Sequence, residues 1–245
     1  PMPSFRTEGV VLRTHKLGEA DRIITMLTKD RGKVRAVAKG VRRTRSKFGA
    51  RLEPFSHVDL LLHEGRSLDV VTQAESIDAF GQYLALDYGR WTAGQTMLET
   101  VDRLTGDQSP DVGDHYVLLV AALRTLTQGS HHPALVLDAY LLRSLALSGY
   151  EPTLDSCVVC GEVGTQPFFH VPSGGTVCAQ HRPPGSVAPR AEALAVMVAL
   201  LAGDWQIADD SDAPTRRDVA GMVAAYAQWH LERDLRSLPL VDRVP

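Results

Sequence analysis

The stretch Phe5–Lys39, FRTEGVVLRTHKLGEADRIITMLTKDRGKVRAVAK, decides the fold. Phe5–Thr14 is rich in apolar and β-branched residues, and Arg22–Thr28 (RIITMLT) repeats that character. Lys29-Asp30-Arg31-Gly32 then supplies turn chemistry before Lys33–Lys39 (KVRAVAK). In this last segment basic and apolar residues alternate. A side-chain period of two therefore places Lys33, Arg35 and Lys39 on one outward face. Beyond a basic, glycine-bounded loop, Gly40–Ala50, come His57–His63 (HVDLLLH), a Glu64-Gly65 turn and Ser67–Gln73 (SLDVVTQ). Five short strands in so little chain predict a small barrel. An OB-fold and an SH3-like barrel both fit, and periodicity does not separate them.

The charge is as uneven as the fold pattern. The formal net charge of the 245 residues is −3, yet Met2–Asp78 carries 15 Lys+Arg against 10 Asp+Glu, and the remainder 11 against 19. Lys29–Arg51 alone holds ten basic residues and one acid, Asp30, a net +9. Like charges crowded so closely repel unless a polyanion is expected, so this block predicts a nucleic-acid contact. The candidate DNA-binding residues are Lys33, Arg35, Lys39, Arg42, Arg43, Arg45, Lys47 and Arg51. Phe48, between Lys47 and Gly49, is the best candidate to stack on a base. Phe5 and Phe55 read better as core.

From Asp78 onward the period becomes helical. Tyr83–Leu104 holds a helical pattern, and Val112, Tyr116, Leu119, Leu123 and Leu126 recur at steps of three and four. Pro133 opens a helix over Ala134–Leu147 that Gly149 ends, and Arg190–Leu201 and Thr215–Leu235 follow. Arg233 and Arg236 near the last end suit the helix dipole. Gly203–Pro214 reads as an acidic solvent loop. The most apolar stretch, Ala191–Ala202, falls well short of the roughly 20 residues a bilayer needs. With no basic-then-apolar leader and only three cysteines, a reducing, cytoplasmic location is expected. The expected fold class is α+β multidomain: a barrel over 2–78, a helical domain over 79–152 and 187–240, and an insert over 153–186.

That insert carries the most specific motif. Cys157-Val-Val-Cys160-Gly161 is followed by Cys178-Ala-Gln-His181, and every cysteine of the chain falls within the two pairs. Cys-x2-Cys with a distant Cys-x2-His is a structural zinc spacing, since two ligands separated by two residues reach one ion from a tight turn. Phe168–Val171 reads as a strand and Pro172-Ser173-Gly174-Gly175 as the turn that brings the pairs together, a zinc ribbon. Three thiolates and an imidazole fill a tetrahedron, so the ion should hold structure. His170 is an alternative fourth ligand, and spacing favours His181. No phosphate-binding loop, dinucleotide fingerprint, HExxH, GxSxG or deaminase pattern occurs, which disfavours an enzyme. Two competing readings are a zinc-dependent nucleic-acid hydrolase and a zinc-ribbon transcription or ribosome-associated factor.

Phe5–Phe55 as a whole, together with GYEPTLDSCVVCG (Gly149–Gly161) and AYAQWHLERDLRSL (Ala225–Leu238), strongly resembles the bacterial RecO family of DNA repair and recombination mediators. The resemblance implies an OB-fold followed by a helical domain with a zinc-ribbon-like insert. It also implies binding to single- and double-stranded DNA, annealing of complementary strands coated by single-stranded DNA-binding protein (SSB), contact with the SSB C-terminal tail, and complex formation with RecR to load RecA at the nucleoid. Zinc-binding relatives commonly use four cysteines, where this chain has His181 in the last place. For an acidic, apolar SSB tail, Arg124 or Arg143 on otherwise apolar helices is the candidate rim cation.

Overall fold

A computed structural model of the chain describes residues 3–106 and 112–241, with side chains as far as Glu232. Arg233 and Arg236 therefore lie outside the described side chains. The first five elements are strands: β1 Ser4–Leu17, β2 Asp21–Thr28, β3 Gly32–Ala38, β4 Ser56–His63 and β5 Asp69–Ala79. β1 is long enough to serve two neighbours. Its second half pairs antiparallel with β2 from Gly9↔Thr28 to Leu17↔Asp21, and its first half with β4 from Ser4↔His63 to Val10↔His57. A register shift between Val11 and Arg13 supplies the bend this requires. β4 pairs antiparallel with β5, and β5 meets β3 in parallel at Ala36↔Asp69 and Val37↔Val70. The order β1-β2-β3-β5-β4 thus closes on itself. Alternation is obeyed in β3, where Val34, Ala36 and Ala38 are buried and Arg35 is exposed. β5 runs past the expected end at Gln73. Exposed Glu75 and Ser76 resemble a loop, but they pair with Asp59 and Val58 of β4.

The chain divides into two compact units, Pro1–Gln128 and Gly129–Pro245. The change of period near residue 78 does not coincide with that division. Helices α1 Phe80–Leu84, α2 Tyr88–Leu104 and α3 Val112–Gln128 pack on the strands, which buries both the barrel's outer wall and the helical stripe Tyr116, Leu119, Leu123, Leu126. The expected helix from Tyr83 is in fact two, because Asp87 restarts it as an N-cap that accepts from the Arg90 amide at 2.8 Å.

In the second unit α4 Pro133–Leu147, α5 Ala191–Ala202 and α7 Ala213–Val241 pack together, with α6 Trp205–Asp209 beside α5. Pro133 and the His132 ring, which accepts from the Ala134 amide at 3.2 Å, start α4. Gly149 follows its C-cap in the left-handed region. The predicted solvent loop Gly203–Pro214 contains α6. Its Asp209 carboxylate meets the His131 ring at 2.7 Å, and that ring stacks on Trp205. α4 also buries Asp138, whose Oδ2 has no hydrogen-bond partner among the described residues.

Candidate nucleic-acid interface and metal centre

The basic loop after β3 contains neither helix nor strand. It is a succession of tight turns, closed by hydrogen bonds from the amides of Arg43, Ser46, Gly49 and Arg51 to the carbonyls of Gly40, Arg43, Ser46 and Phe48. Gly40 and Gly49 take left-handed conformations that other residues adopt only at a cost. The loop's root is tied to the β1–β2 hairpin, for the Gly40 amide donates to Asp21 at 2.7 Å and the Arg42 amide to the Ala20 carbonyl at 2.9 Å. Its middle is anchored from inside. Phe48 and Leu52 belong to the barrel core with Val11, Ile24, Met26 and Leu60. Phe48 is only 2% exposed, so the expectation that it stacks on a base is corrected: its ring packs in the barrel core. Phe55 is fully buried, and Phe5 packs against the core under the Arg31 guanidinium.

The cations fall into three groups. Arg35, Lys39, Arg43 and Arg45 are exposed, and among the described residues no acidic group or carbonyl engages their side chains. Arg42, Lys47 and Arg51 are also exposed but each donates to a backbone carbonyl, of Gly18 at 3.0 Å, Thr72 at 2.8 Å and Ala74 at 3.3 Å. A neutral acceptor fixes these side chains without cancelling their charge. Lys33 is different. Its side chain is 9% exposed and its ammonium sits 3.0 Å from the Asp102 carboxylate, which also accepts from Arg13 at 2.7 Å. Partial burial would raise the Asp102 carboxyl, but the Arg13 and Lys33 bonds hold it below the usual carboxylate range. Lys33, with Arg13, thus ties the barrel to α2, which corrects its place among the candidate DNA-binding cations.

Arg124 and Arg143 are likewise engaged. Arg124 donates to Asp78 at 3.0 Å, and the same carboxylate meets the buried His57 ring, whose other nitrogen lies 2.7 Å from the Tyr116 hydroxyl. This chain of polar contacts joins β4, β5 and α3. Arg143 donates to the Leu200 carbonyl at 3.1 Å near the end of α5, where Gly203 leaves it room. Arg124 thus faces a carboxylate, whereas Arg143, held by a neutral carbonyl, keeps its charge. Unforeseen in the sequence are Tyr83, Leu86 and Tyr88, all exposed around the α1–α2 junction, although helical spacing would class them as core.

The metal-ligand pairs do meet. The donor atoms of Cys157, Cys160, Cys178 and His181 all lie within 4.8 Å of one another. Two turns make this possible: the Gly161 amide donates to the Cys157 carbonyl at 2.8 Å with Gly161 left-handed, and the His181 amide to the Cys178 carbonyl at 3.2 Å. The hairpin of β6 Phe168–His170 and β7 Gly175–Val177 brings the second turn back to the first. Sulfur–sulfur separation between Cys160 and Cys178 is 4.0 Å, close to the edge of about 3.8 Å expected for thiolates 2.3 Å from one tetrahedral ion. Burial works against ionising Cys157, but the amides of Cys160, Cys178 and Val159 prevail and bring its thiol down to about 6. Three soft sulfurs and one imidazole therefore fit a metal such as zinc. His170 is occupied elsewhere, with Nδ1 2.6 Å from the Ser173 hydroxyl within the hairpin turn.

Comparison with known proteins accords with this architecture. The family model described as Recombination protein O N terminal matches residues 2–80, and Recombination protein O C terminal matches residues 85–239. The chain belongs to the RecO family. Among its relatives, the DNA repair protein RecO of Thermobifida fusca is 56% identical over 242 residues, covering 99% of this chain and all of that protein. The namesakes of Streptomyces avermitilis and Nocardioides sp. are 54% and 52% identical, covering 99% and 98% of this chain and 100% and 99% of their own. No helix among the described residues is long and apolar enough to cross a membrane.

Proposed function

We propose that this chain is a non-catalytic mediator of recombination and DNA repair that binds single- and double-stranded DNA through phosphate contacts. The observation that carries the reading is the set of exposed cations without acidic partners, Arg35, Lys39, Arg43 and Arg45, on and beside a five-stranded barrel. We read the barrel as an OB-fold over 2–78, from its strand order and its parallel β3–β5 closure. Residues 79–152 and 187–240 are its helical part, and 153–186 a zinc-ribbon-like insert. Neutralising phosphates releases counterions, so affinity is indifferent to sequence and falls steeply with salt. A cationic surface that screens two strands at once lowers the repulsion between them, which is the physical basis of ATP-free annealing. RecR, the SSB tail and RecA are the partners this role calls for, and the cytoplasmic nucleoid is the place. Cys157, Cys160, Cys178 and His181 would hold a zinc ion as a complete set of four ligands, so the ion would close the insert's small fold rather than activate a water.

The test is annealing of SSB-coated complementary oligonucleotides without ATP at several salt concentrations. Annealing that weakens as salt rises, and weakens further when Arg42, Arg43, Arg45 and Lys47 are reversed to Glu, supports the reading. Annealing indifferent to both refutes it. A zinc-dependent hydrolase would instead cleave the strands.

A further inference from the structure

The loop that carries the cations also walls a groove of about 450 Å3. Ala50 and Glu53 form one side, Gly81 and Gln82 of α1 a second, and Trp91 and Gln95 of α2 a third. Trp91 is half-buried and held in place. Its ring meets the buried Phe55 edge-on at 5.0 Å, and Phe55 adopts a left-handed backbone, the one non-glycine residue described that does so. Such a conformation costs free energy and persists where surrounding packing demands it. Gly94 accommodates the same ring, because a Cβ there would lie 2.9 Å from Phe55. Tyr88, one turn before Trp91 on α2, is 84% exposed.

The geometry points to a pocket for one unpaired nucleobase of a single-stranded DNA whose phosphates lie on the adjoining basic loop. This deepens, and rests on, the DNA-binding reading above. A rigid indole offers a stacking face to any base. Gln82 and Gln95 each present an amide donor and acceptor, the groups that match base edges. The acid in the wall chooses between occupants. Glu53 is paired with Arg22 at 2.8 Å, so a neutral base can lie beside it. With that pair the wall carries no net charge, which suits an uncharged base better than the carboxylates of an acidic peptide. Within a duplex the bases are stacked and unavailable, so the groove discriminates single strands from double.

The test compares a thymidine oligonucleotide with an abasic oligonucleotide of equal length and charge, by tryptophan fluorescence and competition on the full-length protein. The wild type should prefer the thymidine strand by about tenfold. Trp91→Leu should abolish that preference, and, in case that variant does not fold, Gln82→Ala at the exposed position combined with Gln95→Ala at the half-buried one should reduce it. Equal binding of the two strands by wild type overturns the pocket while leaving the phosphate contacts standing. Failure to bind either strand at low salt overturns both readings. Quenching of tryptophan fluorescence by an acidic apolar peptide and not by the thymidine strand also overturns the proposal, assigning the groove to a protein partner.

Discussion

The cysteine–histidine insert and the basic stretch Lys29–Arg51 are both short segments rich in chemically telling residues, and they differ in what their geometry depends on. In the insert, two local turns and one small hairpin bring Cys157, Cys160, Cys178 and His181 together, so spacing along the chain nearly dictates distance in space. In the basic stretch, which runs through β3 into the loop, the role of each cation depends on what stands opposite it from far away. Lys33 alternates with apolar neighbours as Arg35 does, yet Asp102, 69 residues on, takes its charge. Motifs that fold locally can be read as chemistry, whereas a charge acquires its function only after the long-range pairing is known.

The sharpest way to break this contrast is to deny the Cys157, Cys160, Cys178 and His181 cluster the zinc it fits. Binding of a structural zinc is worth about 10 kcal/mol or more in small zinc folds. Chelation, or Cys157→Ser, should therefore unfold residues 153–186 while leaving the barrel's thermal transition in place. Limited proteolysis with zinc measured in parallel checks this, and DNA affinity should survive. Next comes the correction at Phe48. Phe48→Ala opens a cavity in the barrel core and should destabilise the first unit by about 3–5 kcal/mol in urea. Phe48→Leu, which keeps most of the volume, should retain single-strand affinity, as it would not if the ring stacked on bases.

Strands and helices were legible where a single face is buried. β3 alternates as read, and α3 shows its stripe, because each element meets water on the other side. What could not be read shares one cause, contact between distant segments. Phe48 looks like an exposed aromatic among cations until its packing with Val11, Ile24, Met26 and Leu60 in the barrel core is known. His131 and Asp209 look like turn residues until α6 packs its Trp205 against the histidine. Trp91 and Phe55, 36 positions apart in sequence, meet only through the packing of α2 on the loop.

Asp138 was similarly hidden in an apolar helix. Burial pushes its carboxyl up to about 7. An unfolded aspartate releases its proton near 4, so between about pH 4 and 7 the folded state binds the extra proton. Stability is therefore greatest below that window and falls as pH rises through it, by at most about 4 kcal/mol. Asp138→Asn should flatten the fall, as urea midpoints at pH 5 and 7.5 would show. A smaller effect separates two neighbouring cations. Lys33→Ala should cost about 1–2 kcal/mol of stability and leave the salt dependence of DNA binding unaltered. Arg43→Gln should leave stability within about 0.5 kcal/mol and lower the salt slope by about 0.7.

The most direct test of the cationic surface is the slope of log affinity against log salt for a single-stranded oligonucleotide, in the wild type and in the variant Arg35→Gln, Lys39→Gln, Arg43→Gln, Arg45→Gln. Four lost phosphate contacts should reduce the slope by about three. An unchanged slope in a variant that folds as the wild type does would contradict the account.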